Sequence, residues 1–143
     1  MKGYYKDPEL TARTIVRGWL KTGDIGYMTK KGYFYIVDRK KDIIFVFNHT
    51  IYPNEIEDYL ASHPKVLEVG VVGVPDRKSG EAVKAYIVKK DESLKMKDVF
   101  DYCRKGLSRK KRPKYVEFIK IMPKSNVGKL LRRKLRGKLY RKK

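Results

Sequence analysis

The sequence predicts an α+β fold: a small three-stranded sheet with flanking helices, preceded by a β-hairpin appendage. Three observations carry that expectation. Two short β runs, Ile25–Met28 and Tyr33–Val37, flank Thr29-Lys30-Lys31-Gly32, a hairpin signal in which Gly32 takes a positive φ. A charged break, Asp38–Asp42, then separates this hairpin from the rest of the chain. Beyond it, β-rich runs are interleaved with segments whose apolar residues recur at helical spacing.

Each element has a local reason. Residues 1–14 are polar and aromatic, with a helix-like or turn reading around Asp7-Pro8-Glu9-Leu10. Asp38–Asp42 reads as a linker or hinge. Ile43–Phe47 is a short apolar strand. Pro53 opens a helix through about Ser62, because proline is tolerated at the first helical position. Its apolar face is Ile56, Tyr59 and Leu60. Val66–Val74 is a β run ended by Pro75-Asp76, and Ala82–Lys89 is another strand. Met96–Leu107 has the stripe Met96, Val99, Phe100, Cys103 and Leu107 of an amphipathic helix. Val116–Ile121 alternates as a half-buried strand does. Residues 122–128 form a loop that leads straight into a basic helix, Lys129–Tyr140, with Leu131, Leu135 and Leu139 inward. No internal repeat is visible.

Composition narrows the function classes. The chain has 143 residues, 41% apolar and 12% aromatic, enough for one compact domain and an appendage without a covalent staple. Its single cysteine, Cys103, excludes an internal disulfide and a cysteine metal cluster, and reads as a core thiol. His49 and His63 are not at ligand spacing, so no metal site is expected. No apolar run is long enough to span a membrane, and the expected compartment is the cytoplasm. The net charge of +20 is concentrated. Residues 104–114 hold seven Lys or Arg and no acid, and residues 124–143 hold ten and no acid. Such a field draws polyanions, whether nucleotides, coenzyme A, nucleic acid or anionic lipid, or serves solubility alone.

Three stretches hold candidate site residues. In Gly18-Trp19-Leu20-Lys21-Thr22-Gly23-Asp24, a tight turn delivers Asp24 to a strand. A carboxylate accepts two donors at once, from a ligand as well as from the aspartate's own turn. In Tyr35-Ile36-Val37-Asp38-Arg39-Lys40-Lys41-Asp42, Arg39 ends a strand and offers planar, permanently charged donors, to a ligand or to Asp38 or Asp42. In Pro123-Lys124-Ser125-Asn126-Val127-Gly128-Lys129-Leu130-Leu131-Arg132-Arg133, Gly128 lets the chain turn and Lys129 projects a flexible cation.

Each pattern is weak alone, but their order and spacing together resemble the carboxy-terminal portion of the adenylate-forming enzymes. These are the AMP-forming acyl-CoA synthetases and ligases, peptide-synthetase adenylation domains and firefly-type luciferases. The resemblance runs over essentially the whole chain. Ile51-Tyr52-Pro53-Asn54-Glu55-Ile56-Glu57 matches the family's I-Y-P-x-E-I-E segment, and Val72-Gly73-Val74-Pro75-Asp76 with Gly80-Glu81 matches V-x-G-x-P-D…G-E. Lys111 and Pro113 match a Y-K-x-P segment in which Lys110 replaces the tyrosine.

The resemblance implies that residues 1–40 are the tail of a large amino-terminal domain and that residues 41–143 are the small carboxy-terminal lid. It implies that Asp24 and Arg39 hold ribose, that Lys129 is catalytic in adenylation, and that Lys41 is the hinge. It implies ATP/AMP with Mg2+ and coenzyme A as cofactors of a complete enzyme of fatty acid metabolism, none held tightly by this chain. The phosphate loop, adenine pocket and acyl pocket belong to the large domain, which is the expected partner. On this reading Met1 is an internal position and the isolated chain is inactive.

Typical acyl-CoA synthetases carry S-G-G-E-N where this chain has Val46-Phe47-Asn48-His49-Thr50. The length is kept and both glycines are gone, so Phe47 and Asn48 are expected to crowd a ligand approaching that backbone, although Asn48 tolerates a left-handed conformation. The alternative reading is a standalone basic module that binds nucleic acid or another polyanion. A third is a decayed gene product.

Overall fold

The computed structural model describes residues 1–137, so Leu139 and the end of the expected terminal helix lie outside the described residues. The chain forms two compact units, Met1–Lys41 and Asp42–Lys143.

In the first unit, α1 (Pro8–Thr14) begins where the sequence places its turn signal. The Asp7 carboxylate caps it by accepting the Leu10 amide at 2.9 Å, and Pro8 stands in the first turn. Strands β1 (Ile15–Val16) and β2 (Trp19–Leu20) pair antiparallel about Arg17 and Gly18, both at positive φ. This small hairpin is an addition to the expected elements, because two-residue strands carry no periodicity. Strands β3 (Asp24–Met28) and β4 (Phe34–Arg39) form the expected hairpin, with Gly32 at φ 83°. A register shift falls between Ile25 and Gly26, where a Cβ would lie 2.4 Å from the Tyr35 carbonyl oxygen. Only glycine fits that approach.

A 3-10 turn, Lys40–Asp42, crosses the boundary between the units. The second unit then runs β5 (Ile44–Val46), β6 (His49–Ile51), α2 (Pro53–Ala61), β7 (Val66–Asp76), β8 (Gly80–Lys89), α3 (Met96–Gly106), β9 (Tyr115–Phe118) and α4 (Arg132–Gly137). The α+β class holds, but the sheet has five strands rather than three. Its order is β6-β5-β8-β7, antiparallel throughout, with β9 added parallel to β8. Spacing reveals strands but not which runs share a sheet, and His49–Ile51 is too short to stand out.

The alternation of β7 and β8 divides the core. Val71, Val83, Ala85 and Ile87 face one side, with Ile56 and Leu60 of α2 and Val99 and Cys103 of α3. Val72, Val74, Ala82, Tyr86 and Val88 face the other, with Met122 and Leu135. The α2 stripe packs as expected, and of the α3 stripe Val99, Cys103 and Leu107 join the core, while Phe100 is half-buried and Met96, at the exposed start of α3, is 51% accessible. Among the described residues no helix is long and apolar enough to cross a membrane.

Candidate functional site

Asp24 and Arg39 are brought together by strand register. They are partners at the open end of the β3–β4 hairpin, and Arg39 Nε lies 3.1 Å from Asp24 Oδ1. The turn that leads into Asp24 is built from Gly23, at φ 78°, and from Thr22, whose hydroxyl accepts the Asp24 amide at 3.2 Å. The Gly23 carbonyl accepts the Lys40 amide at 2.8 Å, which closes the ladder beyond the pair. Asp38 is buried and accepts the Arg39 amide at 2.7 Å, so it fixes the backbone while the guanidinium turns to Asp24. The Arg39 side chain is 57% exposed and that of Asp24 25%, so the pair faces solvent. A carboxylate acceptor beside a guanidinium donor is suited to a hydroxylated, anionic ligand.

Lys129 lies in the second unit and stands differently from expectation. The loop does not run straight into a helix. Residues 123–131 close as a hairpin: the Leu131 amide donates to the Pro123 carbonyl at 2.8 Å, and the Ser125 amide to the Lys129 carbonyl at 2.8 Å. Gly128, at φ 76°, makes the turn, and the Gly128 amide donates to the Ser125 carbonyl at 2.9 Å. These bonds commit Lys129 and Leu131 to the return arm, and so α4 starts at Arg132. Lys129 is exposed, and among the described residues no carboxylate pairs with its ammonium. Lys124 of the same loop pairs with Glu68 of β7 at 2.8 Å.

Lys41 is the last residue of the first unit and is exposed within the 3-10 turn. The Phe47-Asn48 turn keeps a two-residue hairpin between β5 and β6, with both residues left-handed at φ 46° and 61°. The Phe47 side chain is exposed above it. No group of three His, Cys, Asp or Glu able to hold a metal ion occurs among the described residues.

Sequence reasoning missed a half-buried ion cluster beside the lysine loop, with Asp42 its buried member. Arg132 donates from Nη2 to Glu57 Oε2 at 2.6 Å and to Asn54 Oδ1 at 2.5 Å, and from Nε to Glu57 Oε1 at 3.2 Å. Its Nη1 lies 3.6 Å from Asp42 Oδ2, and Arg136 Nη2 is 3.2 Å from Asp42 Oδ1. Glu57 Oε1 also accepts the Val71 amide of β7 at 2.7 Å. Arg132 is submerged among ten Lys and Arg in its stretch of sequence, and its partners stand 75 or more positions away. No local signal marks it.

The second unit, a five-stranded α+β sheet with helices that presents a glycine–lysine hairpin, follows in the chain a strand pair that ends in Asp24 and Arg39. The chain belongs to the AMP-binding enzyme C-terminal domain family, which matches residues 55–129. It is 54% identical over 136 residues to a long-chain-fatty-acid–CoA ligase of Escherichia coli O6:H1, covering 95% of this chain and 24% of that protein. It thus spans about a quarter of the length of the curated relatives it matches. Among solved structures, the ATP-bound MatB of Rhodopseudomonas palustris superposes with TM-score 0.91 at 32% identity, covering 98% of this chain and 28% of that one. The o-succinylbenzoate CoA synthetase of Bacillus subtilis, solved with its acyl-adenylate intermediate, gives TM-score 0.87 at 37% identity, over 94% of this chain and 28% of that one.

Proposed function

We propose that this chain is the carboxy-terminal part of an AMP-forming acyl-CoA ligase acting on fatty acids in the cytoplasm, with residues 1–40 the tail of its large domain and residues 41–143 its lid. The observation that carries this reading is the Asp24–Arg39 pair at the open end of one hairpin, together with Lys129 on the return arm of another. In the first half-reaction a carboxylate oxygen attacks the α-phosphorus of ATP, and the bond to the bridging oxygen breaks to release pyrophosphate. Asp24 accepts hydrogen bonds from the ribose hydroxyls and Arg39 donates on the same side. Lys129 stabilises the charge that builds on the α-phosphate and the bridging oxygen, more in the transition state than in the ground state. In the second, the thiol of coenzyme A displaces AMP. Mg2+ accompanies ATP in the complete enzyme, and no ligand for it is assigned to this chain.

The first unit supports the partnership with a large domain. Trp19, Phe34 and Ile36 are 80%, 79% and 74% exposed, and a two-stranded ribbon is marginal in water without a surface to pack on. Lys41, between the units, is the pivot on this reading. A polyanion-binding module is less well supported, because it rests on the net charge of +20 alone, and some of the basic side chains already serve the fold. Lys84, Lys111, Lys124 and Arg132 pair with Glu117, Glu55, Glu68 and Glu57.

The test mixes the chain with the separately expressed large domain of the E. coli relative and follows ATP–pyrophosphate exchange with a fatty acid. The chain alone is expected to be silent and the mixture active. Lys129→Ala lowers exchange by roughly 100- to 1,000-fold, as loss of one transition-state donor does. Equal rates for wild type and Lys129→Ala would overturn the assignment.

A further inference from the structure

We propose that Arg132 is a positioning residue that locks the Lys129 hairpin to Asp42, the first residue past the hinge. Lys129 then moves as a rigid extension of the lid. This rests on the reading of Lys129 given above for its kinetic arm.

The argument begins with how the hairpin is held. Lys129 is exposed, so its direction depends on how the two ends of residues 123–131 are anchored. At the incoming end, Met122 is buried against the sheet and Lys124 pairs with Glu68. At the outgoing end Leu130 packs against the Met122–Leu135 cluster, and the first polar anchor, the one that can fix direction, is Arg132, three residues past Lys129 and so within about 10 Å along the chain. Its side chain is 14% exposed, and its guanidinium joins Asn54 and Glu57 on α2, Asp42 at the boundary and, through Glu57, the backbone of β7.

The chemistry of this anchor argues for geometry over stability. Apolar residues of similar volume would hold α4 at least as firmly, because burying charges consumes most of what their attraction returns. What a guanidinium adds is direction: a rigid planar fork satisfies several acceptors at fixed angles. Lysine keeps the charge and loses the fork. Arg136 repeats the contact to Asp42 one turn later, so the boundary residue is gripped from two successive positions of one helix.

The test compares Arg132→Lys with Arg133→Lys, an exposed neighbour, in the 143-residue chain by amide hydrogen exchange. Arg132→Lys is expected to speed exchange of the Ser125 and Leu131 amides by about tenfold through local opening, with the Val72 and Tyr86 amides of the central strands unchanged. Arg133→Lys changes neither set. Unchanged loop amides, or equal loosening of the central strands, would overturn the proposal, the latter showing a purely structural role. In the mixture with the large domain, Arg132→Lys lowers kcat for adenylate formation by about tenfold with KM for ATP unaltered, as misplacement of a reacting group does. An unaltered kcat would overturn it equally. A wild-type mixture without activity refutes the functional reading above and leaves the exchange comparison decisive for the anchor.

Discussion

The docking of α4 on the sheet can be tested through one pair of residues, Leu135 and Gly70. Leu135 is fully buried, and Gly70 of β7 lies directly beneath it. A Cβ on Gly70 would stand 2.9 Å from Leu135 Cδ1, 3.1 Å from Met122 Sδ and 3.3 Å from Leu130 Cδ2. Leu135→Ala removes three carbons, about 2.4 kcal/mol at ~0.8 kcal/mol each, and the residual cavity raises this to about 3–4 kcal/mol. For a unit of this size that is a fall in Tm of roughly 12–30 °C. Gly70→Ala alone overpacks the site by about 1–3 kcal/mol, offset by the ~0.5–1 kcal/mol that alanine gains over glycine in a strand. With Leu135 truncated, the 2.9 Å contact is gone and Met122 and Leu130 end in flexible atoms that can yield. Gly70→Ala then becomes stabilising by about 0.5–1 kcal/mol. Thermal unfolding by far-UV circular dichroism reads all four corners of the cycle. Trp19 fluorescence does not serve, since Trp19 belongs to the other unit. Two results would refute the reasoning: a Leu135→Ala cost below about 1 kcal/mol, or the same sign for Gly70→Ala in both backgrounds.

Burial pushes the Cys103 thiol up to about 11, against an ordinary value near 9. Native chain at pH 8 should resist iodoacetamide and react on denaturation. Because the unfolded thiol ionises first, this group's contribution to stability falls as pH rises from about 9 toward 11. The hydrogen bond from Lys114, with those from Ser79, holds the Asp76 carboxyl well below the usual carboxylate range. Its contribution is complete above its ordinary value near 3.8 and is lost as pH falls further. Asp76→Asn should therefore flatten the acid limb of a stability-against-pH curve. At the β5–β6 turn, Phe47→Gly relieves a left-handed, non-glycine residue whose ring is 61% exposed. It should raise stability by up to ~1 kcal/mol in urea denaturation, since little apolar burial is lost.

What was legible in the sequence followed from short-range rules. The β3–β4 hairpin was visible because Gly32 supplies the positive φ its turn requires. α2 and α3 were visible because Ile56, Leu60, Val99 and Cys103 recur at the period of a buried face. Lys129 is a candidate through the family resemblance of its loop and not through any local rule, and its setting differs from the expected one. A basic stretch with leucines at helical spacing looks helical from Lys129 onward, whereas the Leu131–Pro123 and Ser125–Lys129 bonds hold that stretch in a hairpin until Arg132. Bonds across residues 123–131 have no periodicity to betray them. Neither does the pairing of Asp24 with Arg39, which depends on the register shift at Ile25/Gly26.

The same distinction separates two uses of positive charge in this chain. Read along the sequence, Arg132 and Lys129 are equivalent members of one basic stretch, and a net charge of +20 suggests a common purpose for all of them. Burial separates them. Arg132 is half-buried against Glu57 and Asp42, so its charge is matched inside the unit. Lys129 is raised on a hairpin and exposed, so its charge is directed outward. A cation that is to meet a phosphate must be exposed and still point in a fixed direction, and an exposed side chain has little packing to give it one. The direction has to come from the backbone beneath it, and on the reading proposed above that backbone is set by a neighbouring cation fixed against Glu57 and Asp42.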